Sequence, residues 1–203
     1  LLKMIELGAA CAGSMEEFRK RPVFSASICP TSPLTLARNV CEMIVEGARQ
    51  GVGLFIVPMA LSGAISPATI AGTLVTTNAE ILGSIILAQL TTRGAPCIYG
   101  NLSTIMDMKT GLAAVGAPEV GRVAAGIIRL AKYYGLPSLC GAAMSDSKIP
   151  DAQAAYESAF SVMLTALAGA NIVFGMGGLD HLLTFDCAKL IMDVELERMV
   201  VNV

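Results

Sequence analysis

The chain has 203 residues, 54% of them hydrophobic and 15% charged, with a formal net charge of −2. That composition excludes intrinsic disorder, which needs low hydrophobicity and high charge. It also excludes a basic field that would hold nucleic acid or an anionic membrane surface. The length suits one domain or a large piece of one. With a start at Leu1 and an apolar close at Met199-Val200-Val201, residues 1–203 are expected to form the central part of a longer domain.

In chain order, short β-branched runs alternate with long helical patterns. A strand is predicted over 22–28. The loop Cys29-Pro30-Thr31-Ser32-Pro33 leads to a helix over 34–50, with Thr31 or Ser32 as its cap, Pro33 in its first turn and Gly51 as its stop. A second strand covers 53–57, followed by a Gly/Ser/Pro loop over 58–66 and a helix over 67–92 capped by Ser66. The third strand is 96–99, with a long loop over 100–116 and a helix over 118–134 closed by Gly135. The fourth strand is 137–141, with a loop over 142–150 and a helix over 151–167 closed by Gly169. The fifth strand is 171–174, with a glycine-rich loop over 175–184 and a last helix from 185 onward. Continuous apolar strands predict a sheet buried on both faces, and their alternation with helices predicts that it is parallel.

Two architectures fit these five strand–loop–helix units: an open doubly wound sheet, or part of an eight-unit barrel. The first loop carries no G-x-G-x-x-G, which argues against a dinucleotide fold. In either case short αβ turns and long polar βα loops place the working face at the C-terminal ends of the strands.

The stretch 65–90 is apolar enough to raise the question of a membrane span, which needs about 18–20 apolar residues. Asn78 and Glu80 near its centre would be costly in lipid. A helix packed on both sides in a soluble protein is expected instead. No signal peptide is visible. Six cysteines are scattered without a CxxC pair, and there is one histidine. Neither a zinc site nor a disulfide framework is expected. Cys29, Cys97 and Cys140 read as buried strand residues of a cytoplasmic protein.

The candidate site residues lie in the loops. Tyr99 and Asn101 leave the third strand toward the mouth, and the loop that follows is too long for a plain connector. Met144-Ser145-Asp146-Ser147-Lys148-Ile149-Pro150-Asp151 gathers two carboxylates and a lysine, with Asp151 read as a helix cap and Asp146 as functional. Gly175-Met176-Gly177-Gly178-Leu179-Asp180-His181 either lets a ligand approach the backbone or simply permits a left-handed turn. His181, the one imidazole, is either structural or catalytic. No triad, no G-x-S-x-G elbow around Ser62-Gly63 and no helically spaced carboxylate pair is present. Composition and spacing stop at an α/β barrel with an active mouth.

Several motifs nevertheless resemble a known family. They are Cys29-Pro30-Thr31-Ser32-Pro33-Leu34, Ser66-Pro67-Ala68-Thr69-Ile70-Ala71-Gly72-Thr73-Leu74 with Asn78-Ala79-Glu80-Ile81-Leu82, and Ala88-Gln89-Leu90. Further along come Gly94-Ala95-Pro96-Cys97-Ile98-Tyr99-Gly100, Met106-Asp107-Met108 and Ser145-Asp146-Ser147-Lys148-Ile149-Pro150-Asp151-Ala152-Gln153. Together they resemble the trimethylamine methyltransferases. The resemblance implies a (β/α)8 TIM barrel of which this chain covers about five consecutive units. It implies methyl transfer from a methylated amine to the cobalt of a corrinoid carried by a separate cognate protein, in a homo-oligomeric enzyme that binds no metal itself. Founding members carry pyrrolysine, expected here around Met144–Lys148, where none stands. That departure, and the ease with which a quaternary nitrogen leaves as a neutral amine, points to a glycine betaine-like substrate, with trimethylamine or a non-catalytic barrel as alternatives. A quaternary cation wants aromatic faces and a distant carboxylate. The expected roles are therefore Asp146 and His181 as catalytic residues, and Tyr99, Asn101, Lys148 and Phe174 around the substrate. Ser62, Gly63, Asp107, Met108 and Gly177 are expected on loops facing the corrinoid.

Overall fold

The structure, a computed structural model, describes residues 1–201. In chain order the elements are α1 (Leu2–Ala12), α2 (Met15–Lys20), β1 (Ser25–Ile28), α3 (Arg38–Arg49), β2 (Gly53–Ile56), β3 (Leu61–Ser62), α4 (Ile70–Thr91), β4 (Cys97–Asn101), β5 (Thr104–Met106), β6 (Ala113–Ala114), α5 (Pro118–Tyr133), β7 (Ser138–Gly141), α6 (Ala152–Ala168), β8 (Ile172–Phe174), β9 (Gly178–Leu179), β10 (Thr184–Phe185) and α7 (Cys187–Val201), with a 3-10 turn at Asp180–Leu182. The two opening helices have no counterpart in the sequence reading.

Strands β1, β2, β4, β7 and β8 form one parallel sheet in that spatial order. The order never reverses, so the sheet has no switch point of the doubly wound kind. Each crossover returns its helix to the same side. The strand residues that join the main core are Ala26, Ile28, Leu54, Ile56, Cys97, Tyr99 and Cys140. They alternate along their strands, as the two-residue pleat requires, and they meet Ile44, Ile81, Val123, Ile127 and Ile128 from α3, α4 and α5. The result is a curled, five-stranded half-barrel with its helices outside.

The intervening strand residues face the concave side. Ser25 and Ser27 are exposed there, Phe55, Ile98 and Phe174 half-buried, and Ile172 is 37% exposed. This corrects in part the expectation of a sheet buried on both faces: among the described residues the concave face is open at Ser25, Ser27 and Ile172 but buried at Gly100, Leu139 and Gly141. Cys29 is corrected too. It lies beyond the end of β1 and is exposed, whereas Cys97 and Cys140 are buried.

Helix α4 is long and apolar enough to cross a membrane by length and composition. In the fold it lies on the sheet, burying Thr73, Thr77, Glu80, Ile81, Ser84 and Ala88 while Val75, Ile86 and Leu90 stay exposed. One side is packed rather than both. Its cap is Thr69, whose hydroxyl accepts Gly72 N–H, not Ser66. Helix α3 starts at Arg38 without a side-chain cap, because Thr31 and Ser32 are used elsewhere. Thr31 and Thr35 exchange backbone hydrogen bonds at 3.0 Å. Ser32 Oγ and Leu34 N–H both donate to the buried Glu80 carboxylate, at 2.9 and 2.8 Å. Asp151 does cap α6, accepting Ala154 N–H at 3.0 Å. Gly169 closes that helix in the left-handed region.

The long third loop is not a bare excursion. β3, β5 and β6 build a small second sheet, in the order β3-β5-β6, from the segments that follow β2 and β4. It sits at the C-terminal end of the main strands and forms one wall of the site.

Candidate functional site

The βα loops leave one edge of the sheet, and polar chemistry collects where the last two meet. The loop after β7 turns through Ala143 (φ 57°) and reaches Asp146. The loop after β8 passes Gly175 and Gly177, then three successive left-handed residues, Asp180, His181 and Leu182, at φ 48°, 57° and 68°. The second loop lies on the first through backbone bonds: Asp180 N–H donates to Ser147 O at 2.8 Å and His181 N–H to Ser145 O at 3.3 Å. This brings His181 Nδ1 to 2.9 Å from Asp146 Oδ1 and 2.9 Å from the carbonyl oxygen of Ala113 on β6.

Both neighbours of Nδ1 are acceptors, so Nδ1 carries a proton. Among the described residues no group occupies Nε2, which is left to give or take a proton. Asp146 Oδ1 also accepts Val115 N–H at 2.9 Å. Burial pushes the Asp146 carboxyl above the usual carboxylate range, and nearby Glu157 adds to that. The N–H groups of Gly116 and Val115 and the His181 ring pull it part of the way back.

Glu157 fixes this loop from below. It is the one charged residue of α6. Its Oε2 accepts Ser145 Oγ–H at 2.6 Å and Asp146 N–H at 2.9 Å, while Oε1 accepts Gln153 Nε2–H at 2.8 Å. Residue 116 must be glycine to let the carboxylate in: a Cβ there would lie 2.2 Å from Glu157 Oε2. Behind the loops, Lys189 and Asp193 form a buried ion pair at 2.6 Å, with side chains 1% and 3% exposed. Glu157, Lys189 and Asp193 were missed in the sequence. The usable signal is a lone charge inside an apolar helix for Glu157, and an i,i+4 pair of opposite charges in the apolar first half of α7 for Lys189 and Asp193.

The structure brings Asp146 and His181 together and separates several other candidates. Tyr99 is corrected: β4 runs on to Asn101, so alternation puts Tyr99 beside Cys97 on the helix side. Its ring is fully buried, 5.9 Å from that of Tyr134, and its hydroxyl donates to Asn78 Oδ1 at 2.5 Å. Burial drives its phenol pKa far up. Such a ring offers no face to a cation at the mouth. Asn101 is corrected likewise, being buried with its Oδ1 accepting Ser103 N–H at 3.0 Å. Lys148 is exposed, and Phe174 is half-buried on the concave face next to Gly141. Among the loop residues, Gly63 and Met108 are exposed and Asp107 is half-buried. Ser62 and Gly177 are corrected as docking surface, because both are buried: Ser62 shares a hydrogen bond with Thr73 at 2.6 Å, and Gly177 N–H donates to Asp193 at 2.8 Å.

Residues 2–203 match the family model described as trimethylamine methyltransferase (MTTB). The chain belongs to that family. It is 51% identical over 198 residues to trimethylamine methyltransferase MttB of Desulfitobacterium hafniense, covering 98% of this chain and 40% of that protein. It is 48% identical over 188 residues to MttB of Methanosarcina thermophila, covering 93% and 39%. A glycine betaine methyltransferase of Desulfitobacterium hafniense is 34% identical over 199 residues, covering 98% and 42%. The chain thus spans about 40% of the length of the MttB relatives. Membership in this methylamine methyltransferase family makes the chain part of an enzyme lineage. Within it, identity to the proteins named for trimethylamine is higher than to the one named for glycine betaine.

Proposed function

We propose that the full-length protein transfers a methyl group from trimethylamine to the cobalt(I) of a corrinoid carried by a partner protein, within a completed (β/α)8 barrel. The observation that supports this reading is the Asp146–His181 pair on adjoining loops of a chain about half identical to trimethylamine methyltransferases. Chemistry favours the match. The C–N bond breaks with its electron pair going to nitrogen, and the carbon takes the pair offered by cobalt(I). A tertiary amine leaves as neutral dimethylamine only if its nitrogen is cationic when the bond breaks. A proton placed on Nε2 of His181, whose ring is held at Nδ1 by Asp146, would stand where such a nitrogen needs one. A quaternary amine needs no acid, so this pair would stand idle for its nitrogen.

The corrinoid is a second substrate, and the exposed Gly63 and Met108, with the half-buried Asp107 beside them, are the residues offered to its carrier. No pyrrolysine stands in the 203 residues, but they span about 40% of the relatives' length, so its lack here does not favour a quaternary substrate. Glycine betaine remains the second reading, since an imidazolium at Nε2 would equally donate to a carboxylate.

A spectroscopic assay of methyl transfer to cob(I)alamin, with trimethylamine, glycine betaine, carnitine and proline betaine side by side, tests both. Turnover of trimethylamine is expected. Turnover of glycine betaine alone would replace the first reading with the second, and turnover of neither would overturn both.

A further inference from the structure

The Lys189–Asp193 ion pair is the most deeply buried charge in the described residues, and no step of methyl transfer uses it. Isolated buried ions are costly to desolvate, and an apolar pair of similar volume serves stability as well or better. Its presence therefore calls for a reason in its contacts. Lys189 Nζ donates to Asp193 Oδ2 at 2.6 Å, to the Ala143 carbonyl at 2.8 Å and to Ser158 Oγ at 3.0 Å. All three of its hydrogens are used. Asp193 Oδ2 accepts Gly177 N–H at 2.8 Å as well.

These contacts select two loops. Ala143 lies three residues before Asp146, and Gly177 four residues before His181. Both anchored residues have positive φ, 57° at Ala143 and 79° at Gly177, so each bond fixes the loop at a bend. A Cβ at Gly177 would lie 2.5 Å from Phe185 Cε2, so the bend is built for glycine. Lys189 and Asp193 are one turn apart on α7, so a single rigid helix face holds both loops at a fixed separation.

We propose that Lys189 and Asp193 are positioning residues: a buried charge pair that anchors the loops after β7 and β8 to one helix and so sets the distance between Asp146 and His181. The proposal rests on the reading of that dyad as the working group of the enzyme.

The test uses the full-length protein carrying Lys189→Met and Asp193→Leu together, which removes both charges and leaves neither unpaired. Two readouts are compared in the variant and the parent: kcat for methyl transfer, and the imidazole 15N resonances of His181, assigned by loss of signal in His181→Gln. The expected result is a cooperatively folded protein whose kcat falls at least about tenfold, as misplacement by a fraction of an ångström to an ångström does, and whose His181 Nδ1 resonance moves. A folded double variant with unchanged resonances and an unchanged kcat would overturn the proposal. The resonance needs no substrate, so it judges the anchor even if the parent transfers no methyl group. If the double variant does not fold, Lys189→Met with Asp193→Asn, whose side-chain oxygen still accepts Gly177 N–H, is read in the same two ways.

Discussion

Glu80 and Glu157 do the same job toward opposite edges of the sheet, under the loops after β1 and β7. Each is the one charged residue of a long helix. Each accepts a serine hydroxyl and a backbone N–H from a βα loop: Ser32 and Leu34 for Glu80, Ser145 and Asp146 for Glu157. The loop held by Glu80 closes on itself through Thr31 and Thr35. The loop held by Glu157 delivers Asp146 to His181. A buried carboxylate under a loop is thus a structural fitting; whether it matters to chemistry depends on what the loop carries.

The sharpest way to draw that line is to empty the reactive loop pair. His181→Gln should lower turnover by about 10²- to 10⁴-fold, the range for loss of a general acid. The check is steady-state kinetics of methyl transfer, with circular dichroism to show that the fold persists. Next come the two carboxylates themselves. Glu80→Ala and Glu157→Ala should each lower unfolding free energy by about 1–3 kcal/mol, since each leaves a loop N–H without its acceptor. Only Glu157→Ala should also slow turnover, and equal kinetic losses in both would break the comparison.

A smaller effect follows from the Asp146 carboxyl. Its folded-state pKa is raised, so in the interval between the ordinary carboxylate value and the raised one the folded state binds more protons than the unfolded state. Its contribution to stability is therefore lost as pH rises through that interval. Denaturation curves measured across acid pH should show this falling limb, and Asp146→Asn should flatten it. The smallest effect is chemical. Burial pushes the Cys140 thiol up to about 12, so alkylation of the native protein at pH 8 should spare it while labelling the exposed Cys11 and Cys187.

Much of this was legible in the sequence. The five strand–helix units and the Asp151 cap follow from periodicity and punctuation, and Asp146 and His181 stand out as polar residues on βα loops. What escaped has identifiable causes. Tyr99 was misplaced because a strand extended by two residues reverses no side chain but moves the mouth further on. The small sheet of β3, β5 and β6 was invisible because strands of two or three residues carry no periodic signal. Thr31 and Ser32 looked like caps, yet a carboxylate 46 to 48 residues away claims Ser32 and Leu34. Tertiary partners of that kind override local preference.

The three left-handed residues at 180–182 have a consequence of their own. Mirror-image backbone disfavours L side chains by roughly 1–2 kcal/mol per residue, and glycine alone would occupy it freely. Asp180→Gly and Leu182→Gly would relax the turn, but a relaxed turn is also a looser hinge. The imidazole is aimed by torque in its own backbone as well as by its hydrogen bonds, so the substitutions that ease the chain are the ones that should let its aim wander.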